Sequence, residues 1–113
     1  MSERFRYHHI GIPTDQPRDG EVYLEKYKMW VVGFESNPFG VEWLRFDVDS
    51  PIPDLVKKVP HVAFVVDDLH EAIAGRDVLI EPNSPSEGVT VAFIVDNGAP
   101  VEFLEYEVCP DLK

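Results

Sequence analysis

Two histidines and two glutamates stand out because they recur in a fixed order: His9, Glu42, His61, Glu102. His9-Ile10-Gly11-Ile12 is matched in character by His61-Val62-Ala63-Phe64, and Val41-Glu42-Trp43-Leu44-Arg45-Phe46 by Val101-Glu102-Phe103-Leu104-Glu105-Tyr106. Imidazole nitrogen and carboxylate oxygen together suit a divalent zinc, nickel, cobalt, manganese or iron ion, and two of each leave one or two coordination positions open for water or substrate. Such a centre is catalytic rather than structural. Taken singly, a glutamate in a strand usually faces solvent and a histidine near a strand end is usually a satisfied polar residue. The repeat changes that balance. Each glutamate also sits within an otherwise apolar run, where an unpaired buried carboxylate costs roughly several kcal/mol that a cation would relieve.

The elements that must position these side chains read as strands. Residues Phe5 to Ile12 form the first, with Tyr7, His9 and Gly11 on one face and His8, Ile10 and Ile12 on the other. The stretch from Arg18 to Tyr27 is short and polar with an Asp19-Gly20 turn signal, so a full amphipathic helix is not expected there. Lys28 to Phe34 and Val41 to Val48 follow as strands around Asn37-Pro38-Phe39-Gly40, which is hairpin chemistry. Asp49-Ser50-Pro51-Ile52-Pro53 breaks the pattern and marks a join.

The second half restarts with a nearly continuous apolar strand, His61 to Val66, and an acid-capped helix start at Asp67-Asp68-Leu69-His70-Glu71-Ala72-Ile73 that stops near Gly75. Val78 to Ile80, Val89 to Val95 and Val101 to Glu107 are the remaining strands, divided by Pro82-Asn83-Ser84-Pro85 and Asp96-Asn97-Gly98. His9 and His61 are 52 positions apart and Glu42 and Glu102 are 60 apart, so the second copy is about eight residues longer between its histidine and its glutamate, room for the helix. The expectation is an α+β domain spanning 1–113, with module one at about 5–48 and module two at about 60–107. Pseudo-twofold packing of the two copies would bring equivalent residues together.

Glu105 and Glu107 are the nearest rivals to Glu102, since a one-residue register slip would exchange their faces; Glu102 is preferred because it pairs with Glu42. His8 and His70 fall outside the repeat and read as structural or solvated. Tyr7, Trp30, Phe39 and Trp43 are candidates for a pocket wall, with core packing the commoner role for any one of them.

Composition narrows the partners. A chain of 113 residues is long enough for one hydrophobic core and too short for two, and 44% hydrophobic content is that of a globular protein. A formal charge of -11 disfavours nucleic acid and anionic membranes, and no run approaches a membrane span. Met1-Ser2-Glu3-Arg4-Phe5-Arg6 lacks the apolar stretch of a secretory signal, so a cytoplasmic location is expected. The single cysteine, Cys109, excludes an intramolecular disulfide and reads as a bystander.

With these segments in view, the sequence resembles the vicinal oxygen chelate superfamily, which includes glyoxalases, methylmalonyl-CoA epimerases, extradiol dioxygenases and bleomycin-resistance proteins. The segments that carry the resemblance are His9-Ile10-Gly11-Ile12, Pro60-His61-Val62-Ala63-Phe64-Val65-Val66-Asp67-Asp68-Leu69 and Pro100-Val101-Glu102-Phe103-Leu104-Glu105. The resemblance implies paired βαβββ modules forming a cup-shaped mixed sheet, with His9, Glu42, His61 and Glu102 as metal ligands from the first and last strand of each module. It departs from the family in its first module, where the helix is short or missing.

A divalent-metal-dependent lyase or isomerase of the glyoxalase or epimerase type is then the leading expectation. It would act on a small oxygenated substrate by proton transfer next to a carbonyl, with Glu42 or Glu102 as the base. The alternatives are a small-molecule-binding protein of the resistance type, which does no catalysis, and a ring-cleaving iron dioxygenase. Members of the superfamily are often dimers, and an exposed sheet edge in the short first module would suit a homodimer.

Overall fold

A strand buried on one face alternates its side chains, and one buried on both is apolar throughout; both patterns appear here, joined in one sheet. The computed structural model describes residues 5–107, so Met1 to Arg4 and Cys109 lie outside the described residues. Strands β1 (Arg6–Pro13), β2 (Val22–Leu24), β3 (Met29–Val32) and β4 (Val41–Phe46) come from the first half of the chain. Strands β5 (His61–Val65), β6 (Asp77–Ser86), β7 (Val89–Asp96) and β8 (Ala99–Tyr106) come from the second, with helices α1 (Asp54–Lys58) and α2 (Leu69–Ile73) before and after β5.

The strand order is β2-β3-β4-β1-β5-β8-β7-β6. Read outward from the centre, each half repeats the same arrangement: β1 lies parallel to β4 as β5 lies parallel to β8, and β1 meets β5 antiparallel at the middle. This is the expected α+β architecture, a curled mixed sheet in the shape of a cup with short helices. The curl brings together strands from opposite ends of the order, for Tyr27 Oη donates to Asn83 Oδ1 at 2.6 Å and Lys26 Nζ to the Ser84 carbonyl at 3.3 Å.

The convex side of the second half is covered by α2. Asp68 caps this helix by accepting from the Glu71 amide, and Leu69, 1% exposed, packs with Val66, Ala92, Ile94 and Phe103. The first half has no helix between β1 and β2, in keeping with the polar stretch there. On that side the Arg18 guanidinium lies 3.9 Å over the Trp43 ring instead.

Three local features differ from the sequence reading or add to it. Within the polar stretch, where no full helix is expected, residues 22–24 form a short strand, pairing Tyr23 with Trp30. The join is followed by a helical turn, α1, whose one buried side chain is Val56. Strand β6 runs through Pro82 and Pro85, which the sequence marks as breakers; β6 is an edge strand with register shifts against β7, the setting in which proline is tolerated.

Candidate metal centre

The register of the four central strands decides which side chains can meet. Across β1 and β5, His9 pairs with Ala63 and Gly11 with His61; across the parallel pairs, Gly11 lies beside Glu42 and Ala63 beside Glu102. Residues directly opposite in a sheet share a face, so both histidines and both glutamates point into the cup. The pairing also relates His9 to His61, Gly11 to Ala63 and Glu42 to Glu102 by the pseudo-twofold. A small residue lies opposite each histidine. At Gly11 this is obligatory, because a Cβ there would sit 2.3 Å from His61 Cε1.

His9, His61 and Glu102 are all buried and converge. Glu102 Oε1 lies 3.0 Å from His61 Nε2 and 3.3 Å from His9 Nε2, and one ligand atom from each of the three falls within 4.8 Å of the others. Ligands bound at roughly 2.1 Å to one ion are about 3.0–3.4 Å apart in octahedral or tetrahedral geometry, which matches these spacings. The three can hold a divalent metal ion. Glu42 stands slightly apart: its carboxylate is 3.6 Å from His9 Nε2 and is not part of that group of three.

The two carboxylates differ electrostatically. Burial pushes Glu102 up, but hydrogen bonds and charge from His61 and His9 outweigh it and bring its pKa down to about 2. Burial also pushes Glu42 up, His9 opposes and Glu102 repels, and the net result is a raised value. Burial lowers His9, yet its contacts with Glu102 and Glu42 raise it overall.

These shifts fix a pH dependence for the metal-free protein. Glu102 is depressed below its ordinary 4.5, so its stabilisation is present above that value and is lost as pH falls toward 2. His9 is raised above 6.5, so its stabilisation is present below 6.5 and is lost as pH climbs through the raised value; the half-buried Glu42, raised above 4.5, begins its own loss earlier, as pH climbs above 4.5. Urea midpoints should therefore rise as pH climbs from about 2 to 4.5. Metal affinity should instead rise with pH across the histidine range, since the ion competes with the His9 proton.

His8, set aside at the sequence level as structural or solvated, supports the centre. Its Nδ1 lies 2.8 Å from His9 Nδ1 and its Nε2 is 3.0 Å from Tyr106 Oη, while its ring stacks on Phe34 at 4.7 Å. When His9 presents Nε2 to an ion, its Nδ1–H donates to His8 Nδ1, and His8 Nε2–H donates to Tyr106. Burial first, then the His9 charge, hold His8 below its ordinary range, in keeping with this neutral acceptor. A β-bulge between Tyr7 and His9 breaks the alternation that would have sent His8 away. His8→Ala should loosen metal binding by roughly 10–100-fold, read by competition with a chromophoric chelator. His61 has no such partner: its Nδ1 is buried and unbonded among the described residues, and its ring is held by Phe93 at 4.9 Å and His9 at 5.4 Å.

The rivals fall elsewhere. Glu105 accepts from the Leu69 amide at the start of α2, on the convex side; Glu107 and His70 are exposed. The proposed aromatic wall is also overturned. Tyr7, Trp30, Phe39 and Trp43 do not line the cavity, because Met29 and Val31 face inward on β3 and Glu42 and Leu44 on β4, which turns the tryptophans between them outward. Tyr27, Phe46 and Phe93 are the aromatic residues that line it, in a space of about 210 Å³.

No protein-family model and no curated protein matches the sequence. Solved structures do. A hypothetical protein from Bacillus halodurans C-125 is 22% identical with a TM-score of 0.73, over 95% of this chain and 98% of that one. A methylmalonyl-CoA epimerase from Mycobacterium tuberculosis is 14% identical with a TM-score of 0.56, over 97% of this chain and 92% of that one. At these identities the likeness is one of fold, and the chemistry must be argued from the side chains. No helix among the described residues is long and apolar enough to cross a membrane.

Proposed function

We propose that this chain is a divalent-metal-dependent enzyme of the isomerase or lyase type that moves a proton at a carbon next to a carbonyl. The observation that carries this reading is the unequal placement of the two glutamates. Glu102 lies between two imidazoles with its pKa depressed to about 2, which makes it a good ligand and a poor base. Glu42 faces the same cavity, lies outside the group of three and has a raised pKa, which makes it the better base. A divalent cation held by His9, His61 and Glu102 would supply Lewis acidity to substrate oxygens at the positions left open. Glu42 then takes the proton from the adjacent carbon onto its carboxylate and later gives it back. The shared fold with a protein named as an epimerase points to the same class.

The test is deuterium exchange. Protein reconstituted with zinc, nickel, cobalt, manganese or ferrous ion is incubated in D2O with small α-hydroxyketones and followed by proton NMR. Wash-in at the carbon beside the carbonyl is expected, and EDTA should stop it. If chelation changes neither metal content, thermal stability nor exchange, the metal-enzyme reading fails.

A second reading has one observation in its favour. Two histidines and one carboxylate are also the ligand set of non-haem iron oxygenases, so His9, His61 and Glu102 would suit ferrous iron. Oxygen uptake with a catechol and ferrous iron would support that reading, and its absence alongside deuterium wash-in would remove it.

A further inference from the structure

We infer that the substrate of this site couples a chelating oxygenated head to an uncharged aliphatic body of a few carbons. This rests on the proposed metal-dependent reading for the head and on the cavity wall alone for the body. The two histidines and two glutamates of the cavity all lie on β1, β4, β5 and β8, at the centre of the sheet. The flanking strands and α1 contribute a different surface, represented by Leu24, Val31, Val56, Ile80 and Val91. The ionisable histidines and glutamates are thus gathered at one place and the rest of the wall, apart from the mutually bonded pair Tyr27 and Asn83, is hydrocarbon, the arrangement that orients a ligand by its head and holds it by its tail.

Charge excludes the common anionic bodies. Among the described residues no lysine or arginine lines the cavity. Lys26, beside the lining residue Tyr27, donates to the Ser84 carbonyl, and Lys57, beside the lining residue Val56, donates to the Ser50 carbonyl. The remaining polar lining residues, Tyr27 and Asn83, are bonded to each other. A phosphate or a second carboxylate would enter this wall unpaired, in a chain of net charge -11. The cavity volume of about 210 Å³ suits a small head and a short chain.

The experiment uses matched chelators on the full chain loaded with cobalt, with metal content measured independently. Hydroxamic acids with acyl chains of two, four and six carbons are titrated by calorimetry, together with the six-carbon compound that ends in a carboxylate, adipic acid monohydroxamate. Affinity should rise by about fourfold for each methylene that enters the wall. Adipic monohydroxamate should bind at least tenfold more weakly than hexanohydroxamate. Ile80→Lys, in the half-buried wall of β6, should reverse the order of that pair. The straight-chain alcohols from ethanol to hexanol, which lack the chelating head, are run on metal-free protein by thermal shift. Affinity that is flat with chain length, or a carboxylate tail that binds as well as the apolar one, overturns the inference while leaving the metal reading intact. If no cobalt binds, the metal reading fails, and the alcohol series alone decides the body: a shift that grows with chain length supports it and a flat series overturns it.

Discussion

Glu42→Gln is expected to leave metal content at one ion per chain while lowering the rate of deuterium exchange by about 10²–10⁴-fold, the usual contribution of a positioned general base. Glutamine keeps the shape of the side chain and removes its proton-accepting charge. Because Glu42 is not part of the buried group of three, the ion should lose little affinity. Removal of a raised, half-buried carboxylate should also leave the metal-free fold as stable as before or more so. Glu102→Gln should behave in the opposite way: it takes the charge from between two imidazoles, so metal is lost and exchange with it. Equal loss of metal in both variants would show that the two glutamates do not divide the work. The comparison is made by metal analysis and NMR on the same samples.

Gly11→Ala is expected to abolish stoichiometric metal binding although the substitution adds only one methyl group, at a residue that supplies no ligand. The new Cβ would lie 2.3 Å from His61 Cε1 and 2.9 Å from both ring nitrogens. Side-chain atoms do not approach so closely, so either the imidazole swings away or the β1–β5 pairing opens. His61 has Phe93 on another side and no hydrogen bond at Nδ1 to guide it to a new position. Overpacking of this kind costs typically about 1–3 kcal/mol, and the loss should appear both in the urea midpoint and in metal titration. Ala63→Gly at the pseudo-equivalent position removes a buried methyl and makes no clash. It should cost stability and leave metal affinity within a few-fold of the parent.

Much of this site could be read before the fold was known, because the residues that build it also carry the repeat. His9 with Gly11 and His61 with Ala63 fixed which strand faces needed to meet, and the observed register places them together. Val101-Glu102-Phe103 placed one carboxylate in a core strand, where it does lie. The outward position of Trp43 was also legible, since it alternates with Glu42 and Leu44, but weighing aromatic residues by type obscured it.

Other features had no local signal. The bulge that brings His8 against His9 comes from pairing with β5, a partner more than fifty residues away in sequence. Helix α1 has five residues, too few for a helical period to show, and begins directly after Pro53. Pro82 and Pro85 in β6 are tolerated because the strand lies at the sheet edge, a property of the assembled order and not of the segment. The inequality of Glu42 and Glu102 is likewise tertiary. The repeat makes them equivalent, yet Glu102 Oε1 contacts both imidazoles while the only imidazole contact of Glu42 among the described ion pairs is with His9.

The most direct test of the centre is a crystal structure of the full chain purified without added metal, then soaked in cobalt and recorded at the cobalt absorption edge. The account predicts one anomalous peak inside the cup, with His9 Nε2, His61 Nε2 and a Glu102 oxygen each within roughly 2.0–2.3 Å of it and at least one coordination position facing the apolar cavity. A peak held by other residues, or none inside the cup at full cobalt excess, would contradict it.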